Sequence, residues 1–115
     1  MQPVTTLTIA GSDSGGGAGL QGDLRTFGAF GVHATCAVTA ITAQNTLLVA
    51  EVLALDPALV AAQVYAVTSD FDVRAVKTGM LAQAATVERV ADLAREGMLA
   101  QLVVDPVLVS STGQL

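Results

Sequence analysis

The stretch that decides the fold is Thr8-Ile-Ala-Gly-Ser-Asp-Ser-Gly-Gly-Gly-Ala-Gly-Leu-Gln-Gly-Asp23. A β-branched run leads into it, and apolar residues at helical spacing lead out. Four of the five residues from Gly15 to Gly19 are glycine. Such a loop carries few side chains and tolerates positive φ, so its backbone N–H groups can approach a ligand closely. A plain turn between strand and helix needs fewer glycines. The surplus marks a ligand-facing loop, with Asp13 and Asp23 on either side of it.

Upstream of the loop, Val4 to Ala10 reads as a strand. Downstream, Leu20, Leu24, Phe27 and Phe30 predict a helix over Ala18 to Phe30, with Gly31 as its stop. His33 to Thr42 is a nearly continuous apolar run, read as a buried parallel strand ending at Gln44-Asn45. Leu47 to Leu55 reads as another short strand. Asp56-Pro57 starts a helix, with Asp as N-cap and Val60, Val64 and Val67 facing the core. A strand follows at Ala75 to Gly79. The next helix spans Ala84 to Glu96, with Val87, Val90, Ala91 and Ala94 as its apolar stripe and Gly97 as its C-terminal signal. Leu102 to Val104 is the last strand, ending at Asp105-Pro106.

Strands alternating with helices predict an α/β fold, with a mostly parallel central sheet and helices on both faces. Ligands collect at the carboxyl ends of the strands in such folds. Ser12, Asp13, Gln44, Asn45, Thr78, Gly79 and Asp105 all fall there. Residues 107–115 leave the last strand without reaching a helix that would cover it, so the chain reads as the front part of a longer protein.

Composition narrows the partners. The 115 residues are one domain at most, 52% hydrophobic and 13% charged, with a net charge of −5. The five basic residues Arg25, Arg74, Lys77, Arg89 and Arg95 are scattered, so no cluster exists to neutralise nucleic-acid phosphates. No apolar run is long enough to span a bilayer, which leads to the expectation of a cytoplasmic protein away from membranes. The single Cys36 excludes an internal disulfide and reads as a buried structural thiol. His33, without a second ligand at metal spacing, reads as a solvated residue at a strand start.

The glycine stretch admits three ligand readings. A Walker loop requires Lys-Ser/Thr after its last glycine, whereas Leu20-Gln21 follows Gly19. Gly17-Ala-Gly19-Leu-Gln-Gly22 matches a dinucleotide fingerprint. The acid that should hold a ribose is replaced by Gln44-Asn45, and no acidic residue lies between Asp23 and Glu51. The third reading is a cradle for a small molecule, with Asp23 and Gln44 supplying specificity. A carboxylate accepts and an amide both donates and accepts, which suits the edge of an amino-substituted heterocycle; a sugar fits the same donors. Asp105 reads equally as a carboxylate near magnesium and phosphate or as a strand terminator before a turn proline. Lys77, inside an apolar strand, reads either as aimed at a phosphate or as snorkelling outward, and the second is expected.

The opening segment, continued through Leu24-Arg-Thr-Phe27, resembles that of the hydroxymethylpyrimidine/phosphomethylpyrimidine kinases of thiamine biosynthesis. Ala37-Val-Thr-Ala-Ile-Thr-Ala-Gln-Asn-Thr46, Val76-Lys-Thr-Gly-Met-Leu81 and Val103-Val-Asp-Pro-Val107 agree with it in order. The resemblance implies a ribokinase-like fold, of which residues 1–115 form the N-terminal part of a single kinase domain. It also implies ATP and Mg²⁺, and transfer of the γ-phosphoryl group to 4-amino-5-hydroxymethyl-2-methylpyrimidine and then to its monophosphate. By position, Asp23 and Gln44 would hydrogen-bond the aminopyrimidine. Gly11, Ala18, Met80 and Val107 would line its pocket, and Asp105 would face metal and phosphates. Family members are longer, and their anion hole, catalytic base and most nucleotide contacts lie beyond the matched part. The resemblance therefore implies that these residues alone are inactive and that the full-length enzyme is a homodimer. The alternatives are a pyridoxal or pyridoxine kinase and, from other classes, a dinucleotide-binding domain or a non-catalytic remnant.

Overall fold

The computed structural model describes residues 3–107. Five strands and three helices follow in the order β1 (Thr5–Ser12), α1 (Gly19–Ala29), β2 (His33–Gln44), β3 (Val49–Ala54), α2 (Pro57–Thr68), β4 (Val73–Thr78), α3 (Ala84–Arg95) and β5 (Val103–Val104). The expectation for residues 108–115 lies outside the described part. The sheet order is β3-β2-β1-β4-β5. β1 is the central strand and runs parallel to both β2 and β4, and β5 runs parallel to β4. β3 alone is antiparallel, folding back on β2 in a hairpin. Asn45 closes that turn, because its Oδ1 accepts the N–H groups of Leu47 (2.8 Å) and Leu48 (3.2 Å).

β1 is buried on both faces because both are covered by helices. Leu7 and Ile9 face α2 and α3 in a core shared with Val60, Val64, Val76 and Leu93. Thr6 and Thr8 point the other way, where Thr8 meets Asp23 of α1. A period of two with polar residues on the α1 side therefore separates an apolar layer from a polar one within a single strand.

The helices start and stop as their sequence signals dictate. Asp56 Oδ1 accepts the N–H of Ala58 at 2.8 Å, capping α2 with Pro57 at its first position. Gly31 and Gly97 follow α1 and α3 with φ of 74° and 78°, the left-handed conformation that ends helices. Two expected core residues are corrected. Phe30 is 81% exposed because it is the C-cap of α1, already rotated off the buried stripe. On α3 the buried residues are Thr86, Val90 and Leu93, and Val87 is exposed. Gln83 explains the offset: its amide bonds Thr86 Oγ1 and the Leu55 carbonyl, turning Thr86 inward. No helix among the described residues is long and apolar enough to cross a membrane.

Candidate functional site

β1 has β2 on one side and β4 on the other, reached by connections that cover opposite faces of the sheet. This is a topological switch point, where the strand ends splay into a crevice. The glycine loop leaves the carboxyl end of β1 at this crevice, and Gly79-Met80 leaves β4 beside it.

The loop is built on Asp13. Its buried carboxylate accepts N–H groups from Gly15 (2.7 Å), Gly17 (3.0 Å) and Ala18 (2.8 Å). Desolvation pushes its pKa up, but the donors at Ala18, Gly15 and Gly17 and the Gln44 side chain outweigh that and hold it below the ordinary 3.8. Gln21 of α1 reaches back, accepting the Asp13 N–H (2.8 Å) and donating to Ser12 Oγ (2.7 Å). Ser14 Oγ donates to the Gln44 carbonyl (2.5 Å) and accepts the Gln44 N–H (2.7 Å), clamping the loop to the end of β2. Arg25 donates to the Gly16 carbonyl at 2.6 Å. The backbone amides that could cradle a phosphate are thus occupied by the chain's own carboxylate. This counts against the dinucleotide reading, because the Gly17 and Ala18 amides at the start of its fingerprint are already bound.

Below the loop the backbone packs closely. Gly19 has φ of 59°, and a Cβ there would collide with the Gly11 carbonyl oxygen. A Cβ on Gly11 would meet Met80 Cε at 2.6 Å, so Met80 lies directly over Gly11. Thr39 Oγ1 fixes the Met80 carbonyl at 2.6 Å. Met80 also lines an open cavity of about 420 Å³ at the ends of β4 and β5, together with Gly79, Asp105 and Val107. Ala82, in the same wall, is held at φ of 74°, a strained conformation for a residue with a side chain.

Met80, Val107 and Asp105 therefore share one cavity, and Gly11 lies under Met80; Ala18, the N-cap residue of α1, is outside the cavity wall. Gln44 and Asp23 are not in the cavity wall. Gln44 stands across the glycine loop, at the end of β2. Asp23 faces the sheet from α1, where Thr8 Oγ1 donates to its Oδ2 (2.6 Å) and Lys77 Nζ lies 2.9 Å from each of its oxygens. The expected outward snorkelling of Lys77 is thereby corrected. Its side chain is 24% exposed and turned to Asp23, because an aspartate on the covering helix supplies a partner that solvent would otherwise have to provide. Pattern reading places Asp13 at the loop and Lys77 on the strand, but it misses what each side chain binds. An Asp two residues before a glycine run is a signal for the first, whereas nothing local signals the second.

Asp105 offers the cavity one carboxylate that is more than half exposed, with Lys77 Nζ 3.9 Å from its Oδ2. No group of three metal-ligating side chains occurs among the described residues. Magnesium is commonly held by one or two carboxylates plus substrate phosphates, a donor set that Asp105 fits. Cys36 is half-buried, and desolvation pushes its thiol pKa up, as befits an unreactive group. His33 begins β2 at the surface, stacked on Phe71 with ring centroids 5.2 Å apart.

A switch-point crevice entered by a glycine loop, on a mostly parallel sheet with helices on both faces, defines a doubly wound α/β protein, and the solved structures similar to it make it ribokinase-like. Solved structures of that class superimpose on it. Phosphomethylpyrimidine kinase from Clostridium difficile matches with a TM-score of 0.89 and 44% identity, over 96% of this chain and 48% of that one. The ADP complex of Bacillus subtilis pyridoxal kinase matches with a TM-score of 0.85 and 38% identity, over 93% and 42%. The hydroxymethylpyrimidine/phosphomethylpyrimidine kinase of Synechococcus elongatus is 58% identical over 111 residues, covering 93% of this chain. The chain spans about 40% of that relative's length. The family model for phosphomethylpyrimidine kinase matches residues 13–115, and the chain belongs to that family.

Proposed function

We propose that this chain forms the acceptor-binding side of an ATP-dependent, Mg²⁺-requiring kinase. Its acceptors are 4-amino-5-hydroxymethyl-2-methylpyrimidine and then the monophosphate, on the way to thiamine diphosphate. The observation that carries this reading is the family match across residues 13–115. The layout of the crevice supports it: an apolar wall at Met80 and Val107, close backbone at Gly11 and Ala18, and polar groups at Gln44 and Asp23. In this reading Met80 and Val107 exclude water from the ring faces, and Gln44 and Asp23 recognise its amino edge. Asp105 orients the metal-bound phosphates, whose charge Mg²⁺ neutralises when bound. Catalysis is then mainly positioning and charge stabilisation. The same reading carries a cytoplasmic homodimer for the full encoded protein.

Gln44→Ala tests it in the full encoded protein. One lost hydrogen bond to a neutral ligand amounts to about 0.5–1.5 kcal/mol, so the pyrimidine should bind roughly 2- to 10-fold more weakly by calorimetry. Unchanged affinity removes Gln44 from the site. The likeness to pyridoxal kinases of comparable TM-score favours a second acceptor, a hydroxymethylated pyridine, and turnover measured on both acceptors separates the two readings.

A further inference from the structure

Lys77 and Asp23 form a partly buried charge pair, at 24% and 18% side-chain exposure. A pair so placed gives up part of its hydration, and an apolar pair of similar volume often holds a fold as well or better. Stability alone therefore gives little reason for charge on this face of the sheet. Its position gives a better one. Lys77 is in register with Thr8 on β1 and Val103 on β5, one residue short of the end of β4, so its ammonium lies at the ligand edge. A Cβ on Gly79 would come within 3.3 Å of Nζ, and Gly79 itself lines the cavity.

The contacts over-determine Asp23. Both of its oxygens face Nζ at 2.9 Å, and Thr8, fully buried, donates to Oδ2. The same ammonium stands 3.9 Å from Asp105 Oδ2, too far for a hydrogen bond but close enough to offset the repulsion between two carboxylates. The geometry points to Lys77 as a positioning residue that fixes Asp23 for the acceptor, an inference that rests on the proposed acceptor role of Asp23.

The experiment is a double-mutant cycle of Lys77→Met and Asp23→Asn in the full encoded protein, reading KM for the hydroxymethylpyrimidine and for Mg-ATP. Lys77→Met should raise the acceptor KM about 10-fold or more while the Mg-ATP KM stays within about 2-fold. In the Asp23→Asn background it should add less than about 2-fold. Lys77→Arg, which keeps the charge, should recover part of the loss, and Lys77→Gln carries the same test if the methionine variant does not fold. An unchanged acceptor KM in Lys77→Met, or multiplicative effects of the two substitutions, overturns the role of Lys77 while leaving Asp23 in place. An unchanged acceptor KM in Asp23→Asn alone overturns the acceptor role of Asp23 and the inference with it.

Discussion

Asp13 shows how one residue can reverse the meaning of a motif. Glycines make the loop open to an anion, and the anion that arrives is the chain's own carboxylate, three N–H groups deep. Hydrogen bonds to a charged group are each worth about 1.5–3 kcal/mol, less in sum when the freed amides turn to water. Asp13→Ala should therefore destabilise the chain by about 2–3 kcal/mol in urea unfolding. The pH dependence has a definite sign. The native carboxyl titrates below its ordinary 3.8, so its stabilisation is fully present above that pH and is lost as pH falls through the lower native value. Unfolding free energies of wild type and Asp13→Ala should converge below pH 3.8, and a constant gap down to strong acid would contradict this account. Asp13 was partly legible, since an Asp before a glycine run suits a turn or a cap. Lys77 was not. A period of two assigns its face, but its partner Asp23 lies on a helix remote in sequence, and no local pattern states what that helix brings there.

The elements were legible wherever they carry their own punctuation. Asp56-Pro57 capped its helix, Gly31 and Gly97 ended theirs, and the β-branched runs became strands. Direction was harder to read: β3 turns back because Asn45 closes a tight turn, a feature that leaves little trace in hydrophobic patterning. Burial also shifts wherever a polar side chain substitutes for a missing strand. β3 pairs with β2 only from Ala40 onward, so the backbone at Val38 has no neighbouring strand on that side. Gln63 of α2 fills the gap. Its Oε1 accepts the Val38 N–H and its Nε2 donates to the Val38 carbonyl, both at 2.9 Å, imitating one ladder rung. Gln63→Ala leaves both groups without protein partners and should cost about 1–3 kcal/mol in denaturant unfolding. Amide exchange at Val38 should rise in parallel. A change within a few tenths of a kcal/mol would mean that water replaces the rung at no loss.

At the scale of the whole molecule, the described residues build one side of a crevice. The apolar composition anticipated elements covered on both faces, which holds for β1 but not at the sheet margins. Val103 and Val104 of β5 are 62% and 60% exposed, and Ile41 and Leu53 of the β2–β3 hairpin are exposed as well. The crevice has an apolar wall and one carboxylate, Asp105, open to solvent, with Gln44 and Asp23, the proposed recognition residues, outside that wall. Phosphoryl transfer needs more than this. Donors must meet the transferred oxygens, and a residue must orient the attacking hydroxyl. Among the described residues, the loop amides of Gly15, Gly17 and Ala18 are bound by Asp13, Lys77 is held by Asp23, and Arg25 is turned to the Gly16 carbonyl. The chain also spans only about 40% of its curated relatives. The 115 residues alone, given Mg-ATP and the hydroxymethylpyrimidine, should therefore produce no phosphorylated pyrimidine above the uncatalysed background by mass spectrometry. The acceptor should still raise the melting temperature of the same sample, because a ligand that binds only the native state stabilises it in proportion to RT ln(1 + [L]/Kd). Phosphorylated product from this chain would show that these engagements open during turnover and free Lys77, Arg25 or the loop amides for the phosphates.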